Sequence, residues 1–262
     1  MKLGISSASF FLRAKTEETF DIMRELGIEL CEVFLTTFSE FETDFAHIIN
    51  ENKGAIKVHS IHTLNTTFEP QLYNLAERTR NDGEVYFRKV LECAKIFGAK
   101  HYTFHGQSRL KQTTKMTNPN WMGNRTEELW QIAKTYGVEL CFENVVWAAF
   151  NRPEFFEEIA RYSENIKACL DIKQAMRSGI DWRAYLKVMG NRLQTVHISD
   201  YDENGNTCLV GDGVFDFETF FKNLRDNGYD DAVLIEQYST DYRDIAHLKK
   251  GIEYISNIIA KL

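Results

Sequence analysis

Short apolar runs alternate along the chain with segments in which apolar residues recur every three or four positions. The runs are four to seven residues long and are typical of buried strands. The segments between them have the spacing of amphipathic helices, as Phe87, Val90, Leu91, Ala94 and Phe97 illustrate. The pattern predicts eight strands, at residues 3–6, 30–35, 56–62, 101–105, 138–143, 166–171, 193–198 and 232–237.

Eight such units in 262 residues give about 33 residues each, enough for a strand, a returning helix and two loops. Glycines precede several strands, at positions where the end of a helix favours a residue with positive φ. They are Gly27, Gly98, Gly137 and Gly228. The sequence contains no Pro-rich or Gly/Ser-rich linker. We therefore predict an α/β fold, a closed (β/α)8 TIM barrel forming one domain over residues 1–262.

The predicted strands end in side chains that can bind a cation. In a closed barrel the carboxyl ends of the strands meet at one mouth, where enzymes with this architecture carry their active sites. The residues at these ends are Glu32, His62, His105, Glu143, Asp171, His197 and Glu236. The last four end successive strands, so the barrel would make them neighbours.

A metal ion would solve an electrostatic problem at this mouth. A carboxylate at the end of an apolar strand loses hydration, and three such groups also repel one another. A divalent cation removes both penalties, so we predict one metal ion held by Glu143, Asp171, His197 and Glu236. Three carboxylates and one imidazole suit Mn²⁺ or Mg²⁺ and also admit Zn²⁺ or Co²⁺.

The strand phase and the strand-end motifs resemble the xylose isomerase-like TIM barrel superfamily over essentially the whole chain. Sugar isomerases, ketose 3-epimerases and metal-dependent apurinic endonucleases belong to it. The resemblance implies that the same four residues form the metal site, and that Glu143 and Glu236 also act as acid and base. The stretch from Gly211 through Gly213 to Phe217 is similar to the superfamily's Gly-x-Gly-x-x-x-Phe pattern.

Two departures from the superfamily's patterns bear on the activity. The chain reads Asp171-Ile172-Lys173-Gln174, with Gln174 where the endonuclease branch uses a histidine for its third zinc ion. No arginine follows His197 closely, although the epimerase branch usually has one there. We expect Lys173, which lies next to a predicted helix start, to be a solvated surface charge.

Four residues are predicted to contact the substrate: His62, His105, Trp147 and Gln174. The resemblance to the sugar enzymes implies that the two histidines bind sugar hydroxyls, whereas a purely structural role is the alternative. Trp147 follows Glu143 by four residues and can stack on the apolar face of a sugar ring.

Composition limits the partners of the protein. The chain has 31 Lys and Arg against 38 Asp and Glu, and its net charge of −7 opposes binding to nucleic acid. It has no apolar run of membrane-spanning length and no signal-peptide core near Met1, so we expect a cytoplasmic protein without a membrane partner. Five cysteines without a Cys-x-x-Cys pair favour neither disulfides nor a cysteine zinc site. A homo-oligomer is compatible with the sequence.

We therefore predict a metal-dependent isomerase or epimerase that acts on a small sugar or polyol and transfers protons through Glu143 and Glu236. Two alternatives stay open at this point. The first is a phosphodiesterase similar to the apurinic endonucleases, which His62 and His105 support. The second is a barrel that binds a ligand without turnover. The sequence leaves open the identity of the sugar, its phosphorylation, and the choice between isomerase, epimerase and dehydratase chemistry.

Overall fold

Eight parallel strands close into a barrel in the computed structural model, which describes residues 1–64, 68–108 and 118–262. Strands that follow one another along the barrel are hydrogen-bonded neighbours, and the last barrel strand pairs with the first. The barrel strands are β1 (Lys2–Ser6), β2 (Leu30–Leu35), β3 (Lys57–Thr63), β4 (His101–Phe104), β5 (Glu139–Glu143), β6 (Lys167–Asp171), β7 (Leu193–Ile198) and β10 (Ala232–Ile235). The predicted (β/α)8 TIM barrel is confirmed.

Helices return the chain from the end of one strand to the start of the next. They are α1 (Thr19–Glu25), α2 (Thr43–Asn52), α3 (Glu77–Phe97), α4 (Pro119–Lys134), α5 (Pro153–Ala160), α6 (Ile172–Arg177), α7 (Trp182–Met189), α8 (Phe217–Asp226) and α9 (Ile245–Ala260). Short 3₁₀ helices lie in the connections, at Ser7–Phe10, Thr16–Glu18, Phe38–Phe41, Glu69–Tyr73 and Gly190–Arg192. Within the described ranges, no helix is long and apolar enough to cross a bilayer.

The main core lies between the barrel wall and the helices around it. The apolar face predicted for α3 is buried there, from Phe87 to Phe97. Burying a large apolar side chain contributes roughly 1.5–3 kcal/mol relative to leaving it exposed, so this face fixes the helix on the barrel. The next residue, Gly98, has a φ of +79° and ends the helix, as the sequence predicts.

The segment after β7 contains structure that the sequence pattern does not reveal. Its two-residue strands β8 (Asp200–Tyr201) and β9 (Thr207–Cys208) pair antiparallel. The Asp200 carboxylate accepts hydrogen bonds from the backbone N–H groups of Gly211, Gly213 and Phe215. A Cβ atom at Gly213 would lie 2.3 Å from Oδ1 of Asp200, so this turn requires a glycine. Asp200 therefore shapes one side of the barrel mouth.

Two strands end one residue before a predicted site residue. β4 ends at Phe104 and β10 at Ile235, so His105 and Glu236 are the first residues of the loops that follow. Asp171 and His197 are register partners in the pairing of β6 with β7. The parallel register thus brings side chains from distant parts of the sequence to one level of the mouth.

Candidate active site at the barrel mouth

Four side chains converge at the carboxyl end of the barrel: Glu143, Asp171, His197 and Glu236. One ligand atom from each lies within 4.8 Å of the ligand atoms of the other three, and all four residues are buried. β5, β6 and β7 supply the first three, and the loop after β10 supplies Glu236. The four predicted metal ligands are therefore brought together as one buried group.

The bonding of this group fits a cation. Nδ1 of His197 lies 3.4 Å from oxygens of both Glu143 and Glu236, yet it makes no hydrogen bond within the part of the chain that is described. Oδ2 of Asp171 is likewise buried without a hydrogen bond there. Buried polar atoms nearly always have a hydrogen-bond partner. Nδ1 of His197 and Oδ2 of Asp171 therefore indicate a site for a cation, which would accept their lone pairs. One imidazole and three carboxylates form a donor set that divalent ions use.

The carboxylates of the group have unequal affinities for a proton. Burial raises the pKa of Asp171 to about 8, nearby Glu143 and Glu236 add to the rise, and Lys173 opposes it. Burial also acts against ionisation of Glu143, but the neighbouring imidazoles of His105 and His197 outweigh it and hold the pKa of Glu143 below its usual range. Asp171 is therefore the carboxyl whose negative charge most needs a cation.

A fourth carboxylate, Glu32 on β2, lies beneath the group and is fully buried. It accepts five hydrogen bonds at 2.6–3.3 Å. The donors are the hydroxyls of Ser6, Ser60 and Thr103 and the imidazoles of His62 and His197. Because its oxygens are already engaged, we interpret Glu32 as a support for the two histidines and not as a ligand.

His62, which is hydrogen-bonded to Glu32, lies next to His105, and the Nε2 atoms of the two histidines are 3.0 Å apart. Nδ1 of His62 lies 3.3 Å from Glu236, and Nε2 of His105 lies 3.1 Å from Glu143. Each histidine thus faces one of the two predicted acid–base carboxylates. Nδ1 of His105 lies 3.1 Å from the buried carboxylate of Glu69, which fixes the orientation of this ring.

A cavity of about 480 Å³ opens above these residues. All four residues predicted to contact the substrate line it, namely His62, His105, Trp147 and Gln174. The ring of Trp147 lies 5.3 Å from that of His105, measured between centroids. Glu143 and Glu236 also line the cavity, so a small molecule in it would meet both carboxylates. This volume suits a small-molecule ligand.

The expectation of a solvated Lys173 is wrong, since the side chain is buried in the wall of this cavity. Its Nζ atom lies 3.2 Å from Oε2 of Glu236 and 3.7 Å from Oδ2 of Asp171. Burial opposes its charge, but Glu236 and Asp171 outweigh that effect and raise the pKa of Lys173 above its usual range. The short helix α6 follows Asp171 directly and so turns this lysine inward.

Sequence reasoning missed Glu69 and the inward position of Lys173. Glu69 lies in a 3₁₀ helix after β3, where no periodic pattern marks it. Besides His105, it accepts hydrogen bonds from the side chains of Thr63 and Tyr102 and from the backbone of His105 and Gly106. The signal available for Lys173 was its position two residues after the predicted ligand Asp171.

The chain belongs to the xylose isomerase-like TIM barrel family, whose model matches residues 20–258. Among curated protein sequences there is no match.

Solved structures with the same fold include proteins that act on sugars. A D-tagatose 3-epimerase-like protein has a TM-score of 0.80 and 19% identity, with 100% of this chain and 99% of that chain covered. D-psicose 3-epimerase from Clostridium cellulolyticum H10 has a TM-score of 0.76 and 15% identity, with 99% of each chain covered. The IOLI protein, described with a bound zinc atom, has a TM-score of 0.77 and 19% identity, with 100% and 97% covered. At these identities the likeness establishes the fold.

Proposed function

We propose that the protein is a divalent-metal-dependent isomerase or epimerase that acts on a small keto sugar or related polyol. One observation carries the proposal: Glu143, Asp171, His197 and Glu236 form a buried group with unsatisfied ligand atoms at the floor of a cavity of sugar size. The family of the chain and the sugar epimerases that share its fold support this assignment.

The metal would be held by the four residues of this group. When bound, a divalent cation supplies electrostatic stabilisation of negative charge on a substrate carbonyl oxygen. Mn²⁺, Mg²⁺, Zn²⁺ and Co²⁺ all suit this donor set. The zinc described for the IOLI protein is consistent with a cation on this fold.

Glu143 and Glu236 are positioned to transfer the proton. Their ligand oxygens belong to the group spanning no more than 4.8 Å, and both line the cavity. One carboxylate removes the proton from the carbon beside the carbonyl. The same carboxylate or its partner returns the proton either to the former carbonyl carbon, with the hydroxyl proton passing between the two oxygens, or to the opposite face of the carbon that lost it. Return to the former carbonyl carbon gives isomerisation, and return to the opposite face gives epimerisation.

The remaining cavity residues orient the sugar. His62 and His105 present ring nitrogens beside the two carboxylates and can hydrogen-bond to substrate hydroxyls. Trp147 offers an aromatic face to the apolar side of the sugar ring. Gln174 lines the same cavity, with its Oε1 atom accepting a hydrogen bond from the backbone N–H of Val146.

Deuterium exchange tests the proposal directly. The protein is incubated in D₂O with Mn²⁺, Mg²⁺, Co²⁺ or Zn²⁺ and a panel of keto sugars, and incorporation at the carbon next to the carbonyl is followed by NMR. We expect incorporation for at least one sugar, dependent on the metal. Binding of a sugar with neither incorporation nor conversion to another sugar would contradict the isomerase and favour the barrel that binds a ligand without turnover.

A phosphodiesterase is the second candidate, because His62, His105 and Glu143 form another group able to hold a metal ion. The residue expected to bind a third ion is absent, since Gln174 occupies that position and bonds to the backbone. Metal analysis by mass spectrometry separates the two functions. One ion per chain supports the isomerase, whereas two or three ions with cleavage of abasic DNA support the phosphodiesterase.

A further inference from the structure

We propose that the substrate is an anionic sugar, bearing a carboxylate or a phosphate that a basic wall of the cavity recognises. This inference rests on the proposed function and adds the chemical class of the substrate. The basic wall consists of Lys173, Arg177 and Tyr238, and all three line the cavity above the four-residue group.

Helix α6 places the two cations on one face. Lys173 and Arg177 are four residues apart, the spacing at which helical side chains stack above one another. Lys173 is buried next to Glu236, whereas Arg177 is exposed at the outer part of the cavity. The helix therefore offers one positive charge near the reacting group and another where a substrate would extend toward solvent.

Tyr238 joins the two cations into one surface. Nη1 of Arg177 donates a hydrogen bond of 2.7 Å to its hydroxyl oxygen. Nζ of Lys173 lies 4.9 Å from the centroid of its ring. The arginine is thus held in place by a neutral partner that leaves its charge uncompensated, and within the described residues Arg177 makes no ion pair.

The other charges of the cavity support an anionic ligand. Within the described residues, the acids lining the cavity are Glu143 and Glu236, and both belong to the candidate metal group. A divalent cation bound there would engage both carboxylates. The charged side chains that still face the substrate are then positive. A neutral sugar would leave the charge of Arg177 without an ionic partner. A guanidinium recognises carboxylate and phosphate in the same two-pronged geometry.

A binding experiment tests this without relying on turnover. The Mn²⁺-loaded protein is titrated calorimetrically with sorbitol, gluconate and sorbitol 6-phosphate, which are neutral, carboxylate and phosphate probes. We expect at least one anionic probe to bind about tenfold or more tightly than sorbitol, because its hydrogen bonds with the guanidinium of Arg177 are charge-assisted. The preferred anion identifies the group that the natural substrate carries.

Variants of Arg177 assign the preference to the basic wall. Arg177→Gln should remove most of the advantage that the anionic probe has over sorbitol, and Arg177→Glu should reverse it. Arg88→Gln is the matched control, since this arginine is exposed on α3 and does not line the cavity. Equal binding of all three probes would overturn the inference. So would an anion preference that survives in Arg177→Gln, because the metal alone would then explain it.

Deuterium exchange distinguishes failure of this inference from failure of the proposed function. Arg177-dependent anion binding with neither exchange nor conversion of any keto sugar would refute the isomerase and retain the anionic ligand. The opposite outcome has two parts: the wild type and Arg177→Gln exchange a neutral keto sugar at equal rates, and neither exchanges the acidic counterparts of that sugar faster. This outcome would retain the isomerase and refute the anionic substrate.

Discussion

Nε2 of His197 lies 3.3 Å from Oε2 of Glu32, although the two residues are 165 positions apart in the sequence. Glu32 accepts a hydrogen bond from the N–H at Nε2. The other ring nitrogen, Nδ1, then keeps its lone pair, which is directed at Glu143 and Glu236. Carboxylates that receive the second N–H of a ligating histidine raise the basicity of the ligand and fix its orientation. Glu32 is therefore placed to prepare His197 for the proposed metal ion.

Glu32→Gln should weaken metal binding without removing any of the four proposed ligands. We expect the affinity for Mn²⁺ or Zn²⁺ to fall about 10–100-fold, as is typical for loss of such a supporting carboxylate. Titration calorimetry measures the change. Glu29→Gln, at an exposed position just before β2, is the control and should leave the affinity unaltered. An undiminished affinity in Glu32→Gln would show that the ring of His197 is oriented by other contacts.

Glu143→Gln and Glu236→Gln should each abolish or strongly reduce proton exchange. An amide cannot accept the substrate proton, and loss of a positioned general base costs about 10²–10⁴-fold in rate. Exchange in D₂O gives the rate, and each variant is compared at saturating metal to allow for weaker metal binding. Circular dichroism should show an unchanged fold. A variant that exchanges at the wild-type rate would remove its carboxylate from the proton-transfer step.

Chelation should both stop exchange and lower the melting temperature. The buried carboxylates lose the cation that compensates their charge, and a ligand present at 100 times its Kd stabilises the folded state by about 2.7 kcal/mol. For a protein of this size, that loss corresponds to a fall of roughly 5–10 °C. Thermal unfolding with and without EDTA measures it, and added Mn²⁺ should restore both properties. Full exchange after exhaustive chelation would exclude a metal from the reaction.

The barrel could be predicted because each strand is a local apolar run and each helix has its own periodicity. The strand-end residues followed from the same argument, since parallel strands in a closed barrel must bring their carboxyl ends together. The positions of Lys173 and Glu69 could not be predicted in this way. Both depend on how a short helix turns after a strand, which tertiary contacts decide. The burial of Glu69 is compensated by hydrogen bonds from Thr63 on β3, from Tyr102 on β4 and from His105 and Gly106 just after β4.

The supporting role of Glu32 shows the same limit. Its position at the end of a strand is visible in the sequence and indicates a possible ligand. Whether it binds a cation or holds other side chains depends on Ser60 and Thr103, which lie on the two following barrel strands. Their hydroxyls, at 2.8 and 2.6 Å, occupy the oxygen that a metal would otherwise use.

At the opposite end of the barrel, His59 should make the protein less stable in acid. Burial lowers the pKa of His59 to about 4, and the adjacent ring of His101 adds to the effect. The folded protein therefore binds this proton less readily than the unfolded chain, whose histidine has a pKa of 6.5. His59 therefore leaves the free energy of unfolding unchanged above pH 6.5 and lowers it progressively as the pH falls toward 4. We expect a loss of about 1–2 kcal/mol between pH 7 and pH 5.

His59→Gln should reduce that loss, because glutamine takes up no proton over this range. Its stability at pH 7 should be lower than that of the wild type, since the contacts of Nε2 with Gln194 and Thr195 are altered. Urea unfolding at pH 7 and pH 5 gives the difference for each protein. His47→Gln, on the exposed face of α2, should retain the pH dependence of the wild type. Equal losses in the wild type and His59→Gln would mean that other groups cause the acid sensitivity.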